Sequence, residues 1–191
     1  MRYPGVLRPL VLIGVILAAS PAFGQEALPA SFDGDWQGKE LTVDEGNADL
    51  KATAEDLNVQ IVPDDSGFWM HWTALSRDGT GGALARQPVE ARFEPSDRPG
   101  VFVFDSEQSS LLLSLFGDPA TNNPLEGEPL LWARLDGDTL SVYGLAINPD
   151  GSFDLYQHVR TVTGDTMTAR HTHRTEGDVV VLEGRLARAG G

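Results

Sequence analysis

The chain has 191 residues, 28 acidic against 14 basic, a formal net charge of −14 and no cysteine. That balance argues against nucleic acid and anionic membrane surfaces as partners, since both need a positive face. The missing cysteines exclude disulfides, thiol nucleophiles and thiolate metal sites together.

At the start, Arg2 and Arg8 flank the apolar run Val11 to Ala19, followed by Ser20-Pro21-Ala22-Phe23-Gly24. A charged opening, a short apolar run and small residues at Ala22 and Gly24 form the pattern of a secretory leader, with cleavage expected before Gln25. A membrane anchor would need about 20 apolar residues, and this run is shorter. The expected organisation is therefore a leader over 1–24 and a single β-barrel domain over 25–191. The product is expected to be periplasmic or secreted, with no integral membrane segment after processing and an open oligomeric state.

Gln25 to Ser31 reads as a polar lead. Phe32-Asp33-Gly34-Asp35-Trp36-Gln37-Gly38 then opens a strand that runs to about Val43. Gly38 lies on the same strand face as Trp36, where its missing side chain leaves room for the indole or for a close backbone approach. Trp36 reads as a buried structural residue closing one end of a core. The acidic stretch 44–56 reads as a short helix or a loop.

Leu57, Val59 and Ile61 alternate as a strand, the stretch Pro63 to Gly67 turns it, and Phe68 to Leu75 returns. In the returning strand Phe68, Met70, Trp72 and Ala74 share the inward face. Arg77 to Leu84 is a glycine-rich loop; Val89, Ala91 and Phe93 form a half-wet strand. Pro95 to Gly100 turns into Val101 to Asp105. Gln108 to Phe116 fits a helix or a buried strand, and Gly117 to Glu128 reads as a long loop at a barrel mouth.

The last third is a meander: Leu130 to Leu135, Leu140 to Ile147, Phe153 to Val162, Met167 to Arg174 and Val179 to Arg188. Asp136-Gly137, Asp150-Gly151, Gly164-Asp165 and Glu176-Gly177 provide the tight turns. Counting gives about ten strands at regular spacing, the pattern of an all-β, antiparallel up-and-down barrel with one or two short helices. An incomplete barrel or a two-sheet sandwich is the architectural alternative.

The Gly34, Trp36, Gly38 opening resembles that of the lipocalins and the wider calycin group, and the G-x-W-x-G spacing is similar to that of nitrobindin-like haem-binding barrels. The resemblance implies a lipocalin-like barrel in which an arginine of the last strand packs across the tryptophan. Arg185 and Arg188 are the positions available for it. The T-D-Y-like middle motif of lipocalins is missing, and Glu40 stands where nitrobindins carry a third glycine.

Within Met167 to Arg174, one face carries Met167, Ala169, His171 and His173, and the other Thr166, Thr168, Arg170, Thr172 and Arg174. The charged face is the wet one, so both histidines are expected inside. An H-x-H pair on a strand can bind a metal or set an imidazole against a haem. In the preceding strand Phe153, Leu155, Gln157 and Val159 are read as inward, which leaves Tyr156, His158 and Arg160 outside. His71 is also read as external. No nucleophile elbow, zinc-protease, phosphate-loop or dinucleotide motif occurs.

The leading functional expectation is an exported binding protein for a small apolar or amphipathic molecule. Phe68, Met70, Trp72, Leu155 and Met167 would line the site, with His171 and His173 as polar contacts. No resident cofactor or metal is read from the sequence, with haem the one group left open. A solid-core envelope or interaction module is the alternative. The third reading is a haem-binding barrel or a small-molecule enzyme using His171 with an acid.

Overall fold

Alternation and glycine turns produce ten antiparallel strands among the residues that the structure, a computed structural model, describes: 27–43, 52–77, 84–105, 123–126 and 129–190. They are β1 (Gly34–Val43), β2 (Val59–Asp64), β3 (Gly67–Arg77), β4 (Leu84–Pro95), β5 (Val101–Asp105), β6 (Leu130–Asp136), β7 (Thr139–Ile147), β8 (Phe153–Thr163), β9 (Thr166–Arg174) and β10 (Val179–Arg188). Each pairs with its sequence neighbour, and β1 pairs with both β2 and β10, so the sheet closes on itself as an up-and-down barrel. Closure removes both free edges, which an open sheet would have to protect.

β1 is shared unequally. Gly34 to Trp36 pairs with β2, while Trp36 to Val43 pairs with β10 across an irregularity between Gly38 and Glu40. A 3₁₀ turn, Ala54–Leu57, packs against the second half of β1 and buries Asp56 and Leu57. Two glycines admit it. A Cβ on Gly38 would stand 1.8 Å from the Ala54 carbonyl oxygen, and one on Gly184 would stand 2.4 Å from Leu57 Cδ1. Gly38 thus serves a close backbone approach rather than room for the indole. Leu57 belongs to this turn and not to the following strand.

The two ends differ. At one end the connections β2–β3, β4–β5, β6–β7 and β8–β9 are tight, with φ of 58° at Gly137 and 59° at Gly164, the left-handed conformation glycine adopts without strain. A 3₁₀ turn, Ala30–Phe32, lies at the same end, with Phe32 and Trp36 fully buried. Phe68 stacks on Phe93 with ring centroids 5.1 Å apart and meets Phe102 edge-on at 5.2 Å. Met167, Leu140 and Leu186 are also fully buried. We call this the lower end.

At the opposite, upper end lie the last residues of β1, β3 and β5 and the first residues of β2, β4 and β6; the internal stretches 44–51, 78–83, 106–122 and 127–128 are outside the described residues. The expectations for Gln108 to Phe116, for most of Gly117 to Glu128, for the loop from Arg77 to Leu84 and for most of 44–56 fall on them, and the leader expected over 1–24 lies outside the described residues as well; within Gly117 to Glu128, Pro124–Glu126 is a 3₁₀ turn.

Register corrects one strand of the sequence reading. His158, Arg160 and Val162 of β8 are buried, so the inward face is the one that also carries Asp154 and Tyr156. Leu155 lies on the opposite, outer face with Phe153, Gln157 and Val159, where it pairs with Leu145. The inward assignments of Phe68, Met70, Trp72, Met167, His171 and His173 agree with their burial. His71 faces outward and is half-buried, 3.8 Å from Glu90.

Candidate functional site

Among the described side chains of the inner surface, the polar ones gather mainly in one strip along β8 and β9. From the upper rim downward the paired residues are Tyr156 with His173, His158 with His171, Arg160 with Ala169 and Val162 with Met167. A two-residue turn at Gly164-Asp165 fixes this register, and the pleat turns all of these side chains to one face. The strip is therefore a direct consequence of the hairpin.

At the rim, the Asn148 side-chain amide donates to Asp154 at 3.0 Å, and Asp154 is 2.7 Å from His173 Nε2. The ring of His173 stacks on Tyr156, centroids 4.3 Å apart and planes 8° from parallel. His173 is thus held at its edge and its face. Burial, then the charge of Asp154, pushes the Tyr156 phenol well above its ordinary value, so it stays a neutral hydroxyl.

One layer down, His158 Nδ1 and His171 Nδ1 face each other at 3.1 Å. Two such nitrogens form a hydrogen bond only when one carries the proton and the other offers its lone pair, so the two rings hold opposite tautomers. Both are neutral at pH 7. Burial, then His173 and Arg160, holds His171 down to about 3, against the Leu75 backbone, which acts the other way. Burial, then His171 and Arg160, holds His158 well below its ordinary value. Trp72 reaches across the lumen from β3 to meet His158 edge-on at 5.6 Å. These three rings form a floor between the polar upper part and the packed lower core.

Below the floor is Arg160, 4 % exposed. Its Nε and Nη1 have no hydrogen-bond partner, and the same holds for Trp72 Nε1 and His171 Nε2. Buried polar atoms are almost always satisfied, so four such atoms on one small surface mark the place where the fold has polar capacity to spare. A cavity of about 10 Å³ is lined by Asp56, Leu57, His158, Arg160, Ala169 and His171, among others. Asp56 is engaged elsewhere. It accepts from Arg86 at 2.5 and 3.0 Å and from the Thr53 amide at 2.6 Å. Those bonds, against the opposing cost of burial, hold its carboxyl below the usual range.

Of the residues expected to form the site, His171, His173 and Trp72 come together here. Phe68 and Met167 belong to the packed lower core, Met70 lies one inward position below Trp72, and Leu155 is outside the barrel. Tyr156, His158, Arg160 and Asp154 join the site. The signal for them was present: across the Gly164-Asp165 turn, an inward His171 requires an inward His158.

At the lower end, Arg188 covers Trp36 with its guanidinium carbon 4.3 Å from the ring centroid. Arg188 also donates to the backbone carbonyls of Asp33 and Ser31. Of the two arginines named from sequence, Arg188 fills the role, while Arg185 is exposed on the outer face. A larger open groove, about 490 Å³, runs over the outside of β1 to β4 past Gln37, Gln60, His71 and Glu90.

No family model, curated protein or solved structure matches this chain at a significant level. Among the described residues no group of three or more histidine, aspartate or glutamate side chains is placed to hold a metal ion. No helix among them is long and apolar enough to cross a membrane.

Proposed function

We propose that this is an exported, calycin-like binding protein that takes a small amphipathic molecule at the upper end of its barrel, with the ligand's polar part on the β8–β9 strip. The observation that carries the reading is the polar inward strip above the floor, where Asp154, Tyr156 and His173 take inward positions that apolar side chains fill on the other strands. A barrel that served only as a filled core would gain stability from apolar side chains at these positions. Tyr156 and His173 form a flat, polar wall, with Leu131, Ala146 and Val180 as apolar neighbours around the rim. The leader-like opening supports export.

A second reading, a solid-core envelope module, is favoured by the size of the cavity beneath the floor, about 10 Å³, which holds one water-sized sphere and no organic ligand. Native mass spectrometry separates the two. Protein recovered from the periplasm without denaturation is expected to carry a retained lipid-sized mass. Protein that is always empty, and whose melting temperature is unmoved across a panel of fatty acids, alcohols and monoacylglycerols, would overturn the binding reading in favour of the solid core.

A further inference from the structure

We propose that the cavity beneath the histidine floor is a halide site, in which a monatomic monovalent anion sits against Arg160 and His171. Three observations meet there. Arg160 is a buried cation with two unsatisfied nitrogens. Among the described residues, its neighbours on the inner surface carry no negative charge: Leu140 on β7, Ala169 on β9, and His158 and Val162 along its own strand. The one carboxylate in the cavity wall, Asp56, is already matched by Arg86 and by the Thr53 amide. The charge balance of the chamber is therefore one uncompensated guanidinium, whose pKa burial lowers only to about 10, so it remains charged at neutral pH.

An ionised group taken out of water without a partner costs several kcal/mol. A water molecule would fill the volume and leave the charge unbalanced; an anion removes both costs. Size selects among anions. A cavity of about 10 Å³ admits roughly one water-sized sphere, which excludes phosphate, sulfate and carboxylic acids. Chemistry selects as well. If the His158 Nδ1–H donates to His171 Nδ1, the remaining proton of His171 lies on Nε2, the unsatisfied atom. Arg160 and His171 then both present N–H donors. This site is independent of the organic ligand proposed above, which would bind on the other side of the floor.

The test is thermal unfolding of the full chain in sodium chloride, bromide or gluconate at constant ionic strength. The midpoint is expected to climb with halide concentration and stay flat in gluconate, by roughly 5–10 °C once halide exceeds its dissociation constant a hundredfold. Arg160→Met is expected to abolish the dependence. Should that variant not fold, Ala169→Val keeps the arginine, fills the cavity and is expected to abolish it too. In ¹⁵N spectra, halide should shift the His171 ring signals saturably. Equal midpoints in chloride and gluconate, or a halide dependence that survives in both variants, would overturn the assignment.

Discussion

Trp36→Ala is expected to cost about 3–5 kcal/mol of folding free energy, the range for emptying a buried aromatic position. The indole is 1 % exposed and its Nε1–H donates to the Phe32 carbonyl at 3.0 Å. Its removal therefore leaves both a cavity and an unsatisfied buried acceptor. The damage extends to both chain ends. Arg188 loses the ring it lies over, and the ties from Arg188 to Ser31 and Asp33 lose their fixed partner. Because β1 and β10 close the barrel through the Trp36–Arg188 pair, the seam itself is weakened. Trp36→Phe keeps most of the apolar area and loses the hydrogen bond, so its cost should be nearer 1–2 kcal/mol, about that of one unmade bond. Denaturant melts of the three proteins measure this; an alanine variant within 1 kcal/mol of wild type would remove the seam from the account.

Stability is expected to fall steeply in mild acid. In the unfolded chain His158 and His171 titrate near 6.5, whereas in the fold His171 is held down to about 3 and His158 is well below its ordinary value. Between those limits the unfolded state binds protons that the native state refuses. Their contribution is therefore fully present above pH 6.5 and is lost progressively as the pH drops toward 3. One pH unit is worth about 1.4 kcal/mol per fully titrating group, so His171 alone should remove roughly 1.5–2 kcal/mol between pH 6.5 and 5, and His158 adds to the loss in the same direction. The lowered Asp56 carboxyl acts in the same direction, but only at more acid pH. Urea melts from pH 5 to 7.5 in halide-free buffer check the slope. Replacing both histidines, His158→Leu with His171→Met, should flatten it; a wild-type profile that is already flat would mean that the rings are hydrated.

The parts of the fold that were readable in sequence share a physical basis. In Met167 to Arg174 every residue of one face is threonine or arginine, so the inside of the strand was unambiguous. The glycine turns of the last third fixed four hairpins in the same way. β8 misled because its apolar face, with Phe153, Leu155 and Val159, is the outer one and its polar face is turned inward. A rule that places apolar residues inside fails on a strand whose inward face is the polar one. Hairpin register was the stronger guide, since a two-residue turn dictates which residues share a face regardless of their polarity. The choice of Arg188 over Arg185 was hidden because Val179 and Val181 are as apolar as Val180 and Leu182, which leaves the face of β10 ambiguous. The turn at Ala54–Leu57 showed only as Gly38 and Gly184, two gaps whose common occupant is defined by long-range packing.

Ring signals of the histidines give the most direct test of the proposed binding site. In ¹H–¹⁵N spectra of the full-length protein titrated with the lipid panel, at least one ligand should shift the His173, His158 and His171 rings saturably, while the Trp36 indole at the far end stays in place. A panel that moves none of these rings, or that moves the Trp36 indole alone, would contradict a ligand site on β8 and β9.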